Sequence, residues 1–298
     1  MKFGIISGSF FYDFQELEDQ HEIIVATDFG EVSVLAGHIG AAEVYFVNRH
    51  GKGHQILPHQ INHRANIAAL SRLGVSAILA TTVAGVVQPE FSLAKLFVFD
   101  DLFFPENRLP NGELCTIFHR IGEKDRGHLI FNRPFSGSLR ELVIDSIQSL
   151  GLEYYDRAVY GHVNGPRFNS RAEIAALAQY GVSAVSQTAG PEIVLSGELE
   201  IPYQLIGFGS DYANGVAAVP TSLEELNANL KQSKLVFSKA IIKFIQNAKP
   251  VAFDNGVVYR FESSKQHWPF LPRFRGYLRS KQGWQWILGR QTHRRSIV

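Results

Sequence analysis

An amphipathic helical pattern, a stopping glycine and a short apolar strand recur along this chain, and that repeat constrains the fold more than any other feature. Residues 61–73 place Ile61, Ala65, Ala68 and Ala69 at helical spacing, Gly74 ends the pattern, and Ala77-Ile78-Leu79-Ala80 follows as a buried-looking strand. Residues 171–180 repeat the plan, with Gly181 before Val182-Ser183-Ala184-Val185, and residues 139–150 end at Gly151. Such alternation predicts an α/β fold with helices on the faces of a sheet. Ile23-Ile24-Val25-Ala26 and Val32-Ser33-Val34-Leu35 read as strands around a turn at Asp28-Phe29-Gly30, and Val44-Tyr45-Phe46-Val47 follows as another. Residues 223–245 predict a long amphipathic helix, with Thr221 or Ser222 as N-cap and Glu224-Glu225 in the first turn. Residues 104–133 mix Pro, Gly and Asn with charges and predict a long surface loop, a lid or a subunit contact.

A length of 298 residues suits one large domain with an appendage, and 45% hydrophobic against 19% charged residues excludes a disordered or collagen-like chain. No apolar run reaches the roughly 18 residues of a membrane span. The single cysteine, Cys115, excludes an intramolecular disulfide and a cysteine-rich zinc site, so a soluble protein of a reducing, cytoplasmic compartment is expected. Net charge is +1, but from residue 251 onward nine Lys and Arg face only Asp254 and Glu262, and all three tryptophans (Trp268, Trp284, Trp286) fall there. Two regions are therefore expected, a domain over residues 1–250 and a basic C-terminal extension over residues 251–298. Arginine interleaved with aromatics suits nucleic acid, an acidic membrane surface or a partner chain, whereas Trp268-Pro269-Phe270-Leu271-Pro272 suits docking on protein.

Polar, glycine-bearing segments sit where the strands are expected to end: Thr81-Thr82-Val83-Ala84-Gly85, Ser186-Gln187-Thr188-Ala189-Gly190 and Gly209-Ser210-Asp211-Tyr212. Ligands of open α/β sheets bind at such carboxyl ends. Thr81-Thr82 offers two hydroxyls and nearby backbone N–H groups to an anion, and would serve equally as an ordinary strand-to-helix turn. Ile6-Ser7-Gly8-Ser9 carries the same ambiguity and matches neither the P-loop nor the dinucleotide fingerprint, which argues against nucleoside triphosphates and NAD. Arg49-His50-Gly51-Lys52-Gly53-His54 gathers four potential cations in six residues, suited to phosphate or to a solvated basic loop. His50, His54, His59 and His63 do not compose a convincing zinc set, since Pro58 interrupts the local helix and no carboxylate or thiolate lies nearby.

Taken in order, Arg49-His50-Gly51 through His54, Asn62-His63-Arg64-Ala65-Asn66-Ile67 and Thr81-Thr82-Val83-Ala84-Gly85 resemble the 5′-methylthioadenosine/5′-methylthioinosine phosphorylase branch of the trimeric purine nucleoside phosphorylase family. Asn164-Gly165-Pro166-Arg167-Phe168-Asn169-Ser170-Arg171-Ala172-Glu173, Gln187-Thr188-Ala189-Gly190-Pro191-Glu192 and Ser210-Asp211-Tyr212-Ala213 resemble three further signatures of that family, so the likeness spans about residues 1–247. It implies a three-layer fold with a central mixed sheet flanked by helices, a homotrimer, and phosphorolysis of a purine nucleoside to free base and (methylthio)ribose 1-phosphate. Inosine or guanosine phosphorolysis and a catalytically degraded purine-binding protein are the alternatives. No cofactor is implied beyond inorganic phosphate as co-substrate.

Carried over by position, Ser9, Arg49, His50, Thr82 and Thr188 would hold phosphate with the Val83 N–H. Phe168 would pack on the base, Gln187 would meet the sugar, Asp211 would face the purine as the catalytic residue, and His128 would reach a neighbouring subunit's 5′ group. Read alone, Phe168 would suit core packing and Thr188 a helix N-cap. An anion below the ribose stabilises an oxocarbenium-like transition state, and a carboxyl serves as acid at the leaving purine only when burial raises its pKa. Phe10, Asn164, Gln187 and Ala213 depart from the family pattern, and Asn214, whose amide both donates and accepts, is a candidate reader of a 6-oxopurine.

Overall fold

The computed structural model describes residues 1–9, 11 and 13–260. Phe10 and residues 261–298, which include the three tryptophans and most of the basic extension, lie outside the described residues. One compact unit runs Met1–Tyr259, so the boundary expected after residue 250 falls inside it. The Asp254 carboxylate accepts from Ser136 Oγ at 2.6 Å, Gly137 N at 3.1 Å and Ser138 N at 2.9 Å, and Val258 is fully buried.

In chain order the elements are β1 (Lys2–Ser7), β2 (Glu18–Thr27), β3 (Gly30–Ile39), β4 (Ala42–Asn48), α1 (His63–Arg72), β5 (Ala77–Val86), β6 (Leu96–Val98), β7 (Asp101–Phe103), β8 (Gly127–Phe131) and α2 (Gly137–Ser149). There follow β9 (Tyr154–Tyr155), β10 (Val159–His162), α3 (Arg171–Gln179), β11 (Ala184–Ser186), α4 (Gly190–Glu198), β12 (Tyr203–Tyr212), α5 (Leu223–Asn247) and β13 (Gly256–Arg260). Eleven strands form one mixed sheet in the order β2-β3-β4-β1-β5-β11-β10-β7, with β12 also on β5, β6 beyond it and β9 on β6, while β8 and β13 pair separately. Alternation along the central strands feeds two cores. Ile6, Val47 and Ile78 pack with Ala65, Leu70, Ile193 and Leu195 of α1 and α4, and Ile5, Phe46 and Leu79 pack with Val143, Phe237, Ile241 and Phe244 of α2 and α5. This is the expected three-layer arrangement, and each large apolar side chain so buried contributes roughly 1.5–3 kcal/mol.

The sheet forks at β5. Parallel β1 covers Ala77 to Ala80 on one edge, and antiparallel β11 takes up the same edge only at Gly85 and Val86. Parallel β12 meanwhile follows the opposite edge from Ile78 to Val86, with a register shift between Gly209 and Asp211. Residues 81–84 are thus flanked by a strand on one side and an opening on the other. Long pairing with β12 explains two differences from the sequence reading: Thr81-Thr82-Val83-Ala84-Gly85 and Gly209-Ser210-Asp211-Tyr212 are continuing strand, not turns. The remaining helices and strands fall within a few residues of expectation, with Ser222 the N-cap of α5. Segment 104–133 is less superficial than expected. Cys115 and Ile117 are buried, because Glu198 accepts from Ile117 N at 2.6 Å and Thr116 Oγ1 at 3.0 Å and Arg64 Nε donates to the Thr116 carbonyl at 2.7 Å.

Candidate active site

The fork opens into a cavity of about 560 Å³. Ser9, His50, Thr82, Val83, Phe168, Gln187, Thr188, Asp211 and Asn214 all stand on its wall, although they come from segments spread over some two hundred residues. Two expected residues do not. Arg49 lies behind the wall, and His128 is exposed on β8 away from it.

One end of the cavity is built of small donors. The turn after β1 brings Gly8 and Ser9 over β5, where a Cβ at Gly8 would stand 3.1 Å from the Thr81 carbonyl oxygen and 3.3 Å from Arg49 Nη1. Glycine therefore lets the turn lie almost on the guanidinium. Arg49, fully buried, donates from Nε and Nη2 to the Glu192 carboxylate at 2.5 and 2.9 Å, and from Nη1 to the Thr81 carbonyl at 2.7 Å. Burial by itself works against its charge, but the adjoining Glu192 carboxylate outweighs it and the guanidinium stays ionised. Its bidentate pairing explains why Arg49 backs the turn rather than projecting into the cavity.

His50 lines the same end and stacks on His54 with centroids 4.2 Å apart. Its Nδ1 lies 2.8 Å from the Ile56 carbonyl, an acceptor only, so Nδ1 carries the hydrogen and Nε2 of the neutral ring accepts. Burial first, and Arg49 second, hold its pKa down at about 4 against the lift from the Ile56 bond. A neutral His50 thus brings an acceptor rather than a cation to this end of the cavity. Thr188 is buried on the wall, and the α4 N-cap is Ala189, so the threonine hydroxyl is not spent on capping.

The other end is aromatic and carboxylic. Phe168 is 78% exposed yet borders the cavity, a position suited to covering a planar ring rather than to the core. Ser210 Oγ donates to Asp211 Oδ1 at 2.6 Å, leaving Oδ2 for a ligand. Burial raises the Asp211 pKa, partly offset by that bond. Asn214 donates from Nδ2 to the Asn169 carbonyl at 2.7 Å and keeps Oδ1 as an acceptor, while Ala213 presents only a methyl. Gln187 donates to the Arg167 carbonyl at 3.0 Å, and a Cβ at Gly165 would stand 1.9 Å from its Oε1. Only glycine at 165 allows the amide this seat. Asn164 donates to Glu106 at 2.6 Å and is not on the cavity wall.

Sequence reasoning missed three participants. Ser186 lines the cavity and is hydrogen-bonded to Thr82 and Tyr160, and Glu192 holds Arg49. A serine at a strand end beside Gln187-Thr188 was a visible hint and Glu192 closes a segment that resembles a family signature, but what Tyr160 and Glu192 bind depends on partners 26 and 143 positions away. Among the described residues no group of three or more His, Cys, Asp or Glu is placed to hold a metal, and His63 is buried beside Glu192, its Nδ1 3.5 Å from Oε1. Hydroxyls, backbone N–H groups, a backing guanidinium and a buried carboxyl form a site suited to an anion and a planar base.

Residues 2–246 match the phosphorylase superfamily. The chain is 37% identical over 254 residues to a 6-oxopurine nucleoside phosphorylase of Pyrococcus furiosus, covering 84% of this chain and 92% of that relative. It is 32% identical over 246 residues to an S-methyl-5′-thioadenosine phosphorylase of Saccharolobus solfataricus, covering 82% and 88%. Its fold is similar to that of methylthioadenosine phosphorylase from Schistosoma mansoni solved with adenine, with a TM-score of 0.75 at 23% identity over 83% of this chain and 91% of that one.

Proposed function

This chain belongs to the phosphorylase superfamily, and from that premise we propose that it cleaves purine nucleosides by phosphorolysis, acting on 5′-methylthioadenosine or 5′-methylthioinosine. The observation that carries the reading is one cavity with an anion end of Ser9, Thr82 and Thr188 and a base end of Phe168, Asp211 and Asn214. A phosphate oxygen attacks C1′ of the ribose, the C1′–N9 bond breaks with its electron pair passing to the purine, and the products are free base and sugar 1-phosphate. Holding both reactants in one cavity makes the attack local, and the anion below the ribose opposes the positive charge that develops there. Asp211, its pKa raised by burial, shares a proton with N7 of the departing base. Leu226 and Leu230 of α5 add apolar wall suited to a thiomethyl group.

Inorganic phosphate is the co-substrate and no other cofactor is needed in this scheme. We take the working enzyme to be a cytoplasmic homotrimer in which His128 serves a neighbouring subunit; its exposure on β8 is compatible with that role. No described helix is long and apolar enough to cross a membrane. Inosine or guanosine is the second reading, favoured by the methyl of Ala213 beside the free Asn214 Oδ1 and by the similarity to a 6-oxopurine nucleoside phosphorylase. A nucleoside panel with and without phosphate tests both. Base release only with phosphate, fastest from a methylthio substrate, is expected; fastest release from inosine would establish the second reading. Release without phosphate, or none at all, would overturn both.

A further inference from the structure

Tyr160 does not reach the cavity, yet its hydroxyl anchors a chain that does. Ala189 N donates to Tyr160 Oη at 3.0 Å, Tyr160 Oη lies 2.7 Å from Ser186 Oγ, and Ser186 Oγ lies 2.9 Å from Thr82 Oγ1. The chain steps across three adjacent strands, β10, β11 and β5, and ends on the cavity wall at Ser186 and Thr82. Its proton order follows from its closed end. The Ala189 amide can only donate, so the Tyr160 hydrogen turns the other way, to Ser186 Oγ; the Ser186 carbonyl at 3.3 Å is the poorer acceptor. Burial pushes the Tyr160 pKa up to about 12, against the pull of Ser186 and Ala189, so this hydrogen is always present near neutral pH.

The amide and three hydroxyls bring four hydrogens to three links, which leaves one hydrogen to emerge from Ser186 or Thr82. In this structure Thr82 Oγ1 donates to Ser186 Oγ, with the Val83 carbonyl at 3.0 Å as its alternative acceptor, so the spare hydrogen is that of Ser186 and can turn to a neutral acceptor or to an anion. An oxyanion is the stronger acceptor, since charge-assisted bonds are roughly twice as strong as neutral ones. Links behind the last donor polarise it further.

We propose that Tyr160 is a positioning residue for phosphate and Ser186 the donor it orders: Tyr160 and Thr82 both donate to Ser186 Oγ, so the wall always presents the Ser186 hydroxyl hydrogen to the bound anion. The proposal rests on the phosphorolytic reading. Its test is titration with inorganic phosphate alongside steady-state phosphorolysis, for the full chain and for Tyr160→Phe, Ser186→Ala, Ser186→Thr and the Tyr160→Phe/Ser186→Ala double variant. Tyr160→Phe removes one oxygen remote from the ligand; it is expected to raise both the phosphate Kd and the phosphate KM about 3- to 10-fold, with the nucleoside KM unchanged. Ser186→Thr keeps the hydroxyl and is expected to retain phosphate binding that Ser186→Ala loses. The double variant is expected to lose no more than the worse single one, because either change breaks the same chain. Unchanged phosphate affinity in Tyr160→Phe, or losses that multiply in the double variant, would overturn the proposal while the wild type still binds phosphate and releases base. A wild type that does neither would instead bring down the phosphorolytic reading. If Tyr160→Phe fails to fold, equal binding by Ser186→Ala and Ser186→Thr is the overturning result.

Discussion

Asp211 lines the cavity with one oxygen committed to Ser210, and this commitment sets what the residue can do. An exposed aspartate is ionised far below neutrality, but burial raises this one despite the Ser210 bond, so its acid form persists to higher pH. As pH rises through that raised value the proton is lost, and with it, in the proposed phosphorolysis, the means of neutralising the leaving purine. Asp211→Ala is therefore expected to lower kcat roughly 100-fold. Asp211→Asn can still donate a hydrogen bond but transfers no proton, so it is expected to retain more activity and to lose the alkaline limb of the kcat profile. An unchanged alkaline limb in Asp211→Asn would assign the proton to another group. In the proposed phosphorolysis Ala213 and Asn214 would then decide the base: the methyl accepts nothing, and the amide oxygen left by the Asn169 bond would accept from a protonated N1 such as a 6-oxopurine carries.

Among the elements, what was legible in the sequence and what was not divide along a physical line. Helices with glycine stops, such as α1 and α3, were legible because local propensity and tertiary packing agree. The second half of β5 was not. Two threonines and a glycine read locally as a turn, and only pairing with β12, more than a hundred residues away, draws them into strand. The same limit hid Arg49's true position, since Glu192 is invisible as its partner until the chain folds. The cavity residues were legible through resemblance and the hydroxyl chain was not. At the edge of the cavity, Ser170 accepts from Glu173 N at 3.3 Å while Glu173 accepts from Ser170 N at 2.7 Å and pairs with Arg167. This capping box fixes the start of α3 and, with it, the segment bearing Pro166, Phe168 and Asn169. Ser170→Ala is expected to cost about 1 kcal/mol of unfolding free energy. Loosening the Phe168 segment is expected to raise the nucleoside KM severalfold and leave the phosphate KM alone, which steady-state kinetics with each substrate varied in turn would check.

The molecule as a whole carries its titratable burden in the layer beneath the anion end, and this sets how it responds to acid. Burial, with Arg49, holds His50 neutral down to about 4, and burial, with the nearby His63, holds His162 neutral down to about 3 despite the pull of Glu192. In the unfolded chain both titrate near the ordinary value of 6.5. Below that pH the unfolded state binds protons that the folded state refuses, so stability falls as the medium is acidified from about 6.5 toward 4, by about 1.4 kcal/mol per pH unit for each proton of difference. Glu192 acts in a different window. Burial alone would raise its pKa, but Arg49's charge and hydrogen bonds bring it below the ordinary 4.5, so its contribution is intact above that value and is lost only as pH falls further. Acid destabilisation is therefore expected to begin with histidines, well before carboxylates titrate. Denaturant midpoints measured between pH 7 and 5 should fall steadily, and His162→Asn should flatten that slope by about one proton's worth, whatever its effect on stability at pH 7. A wild-type midpoint that holds constant down to pH 5 would mean that water or a proton acceptor reaches these rings, and that the layer behind the cavity is not dry.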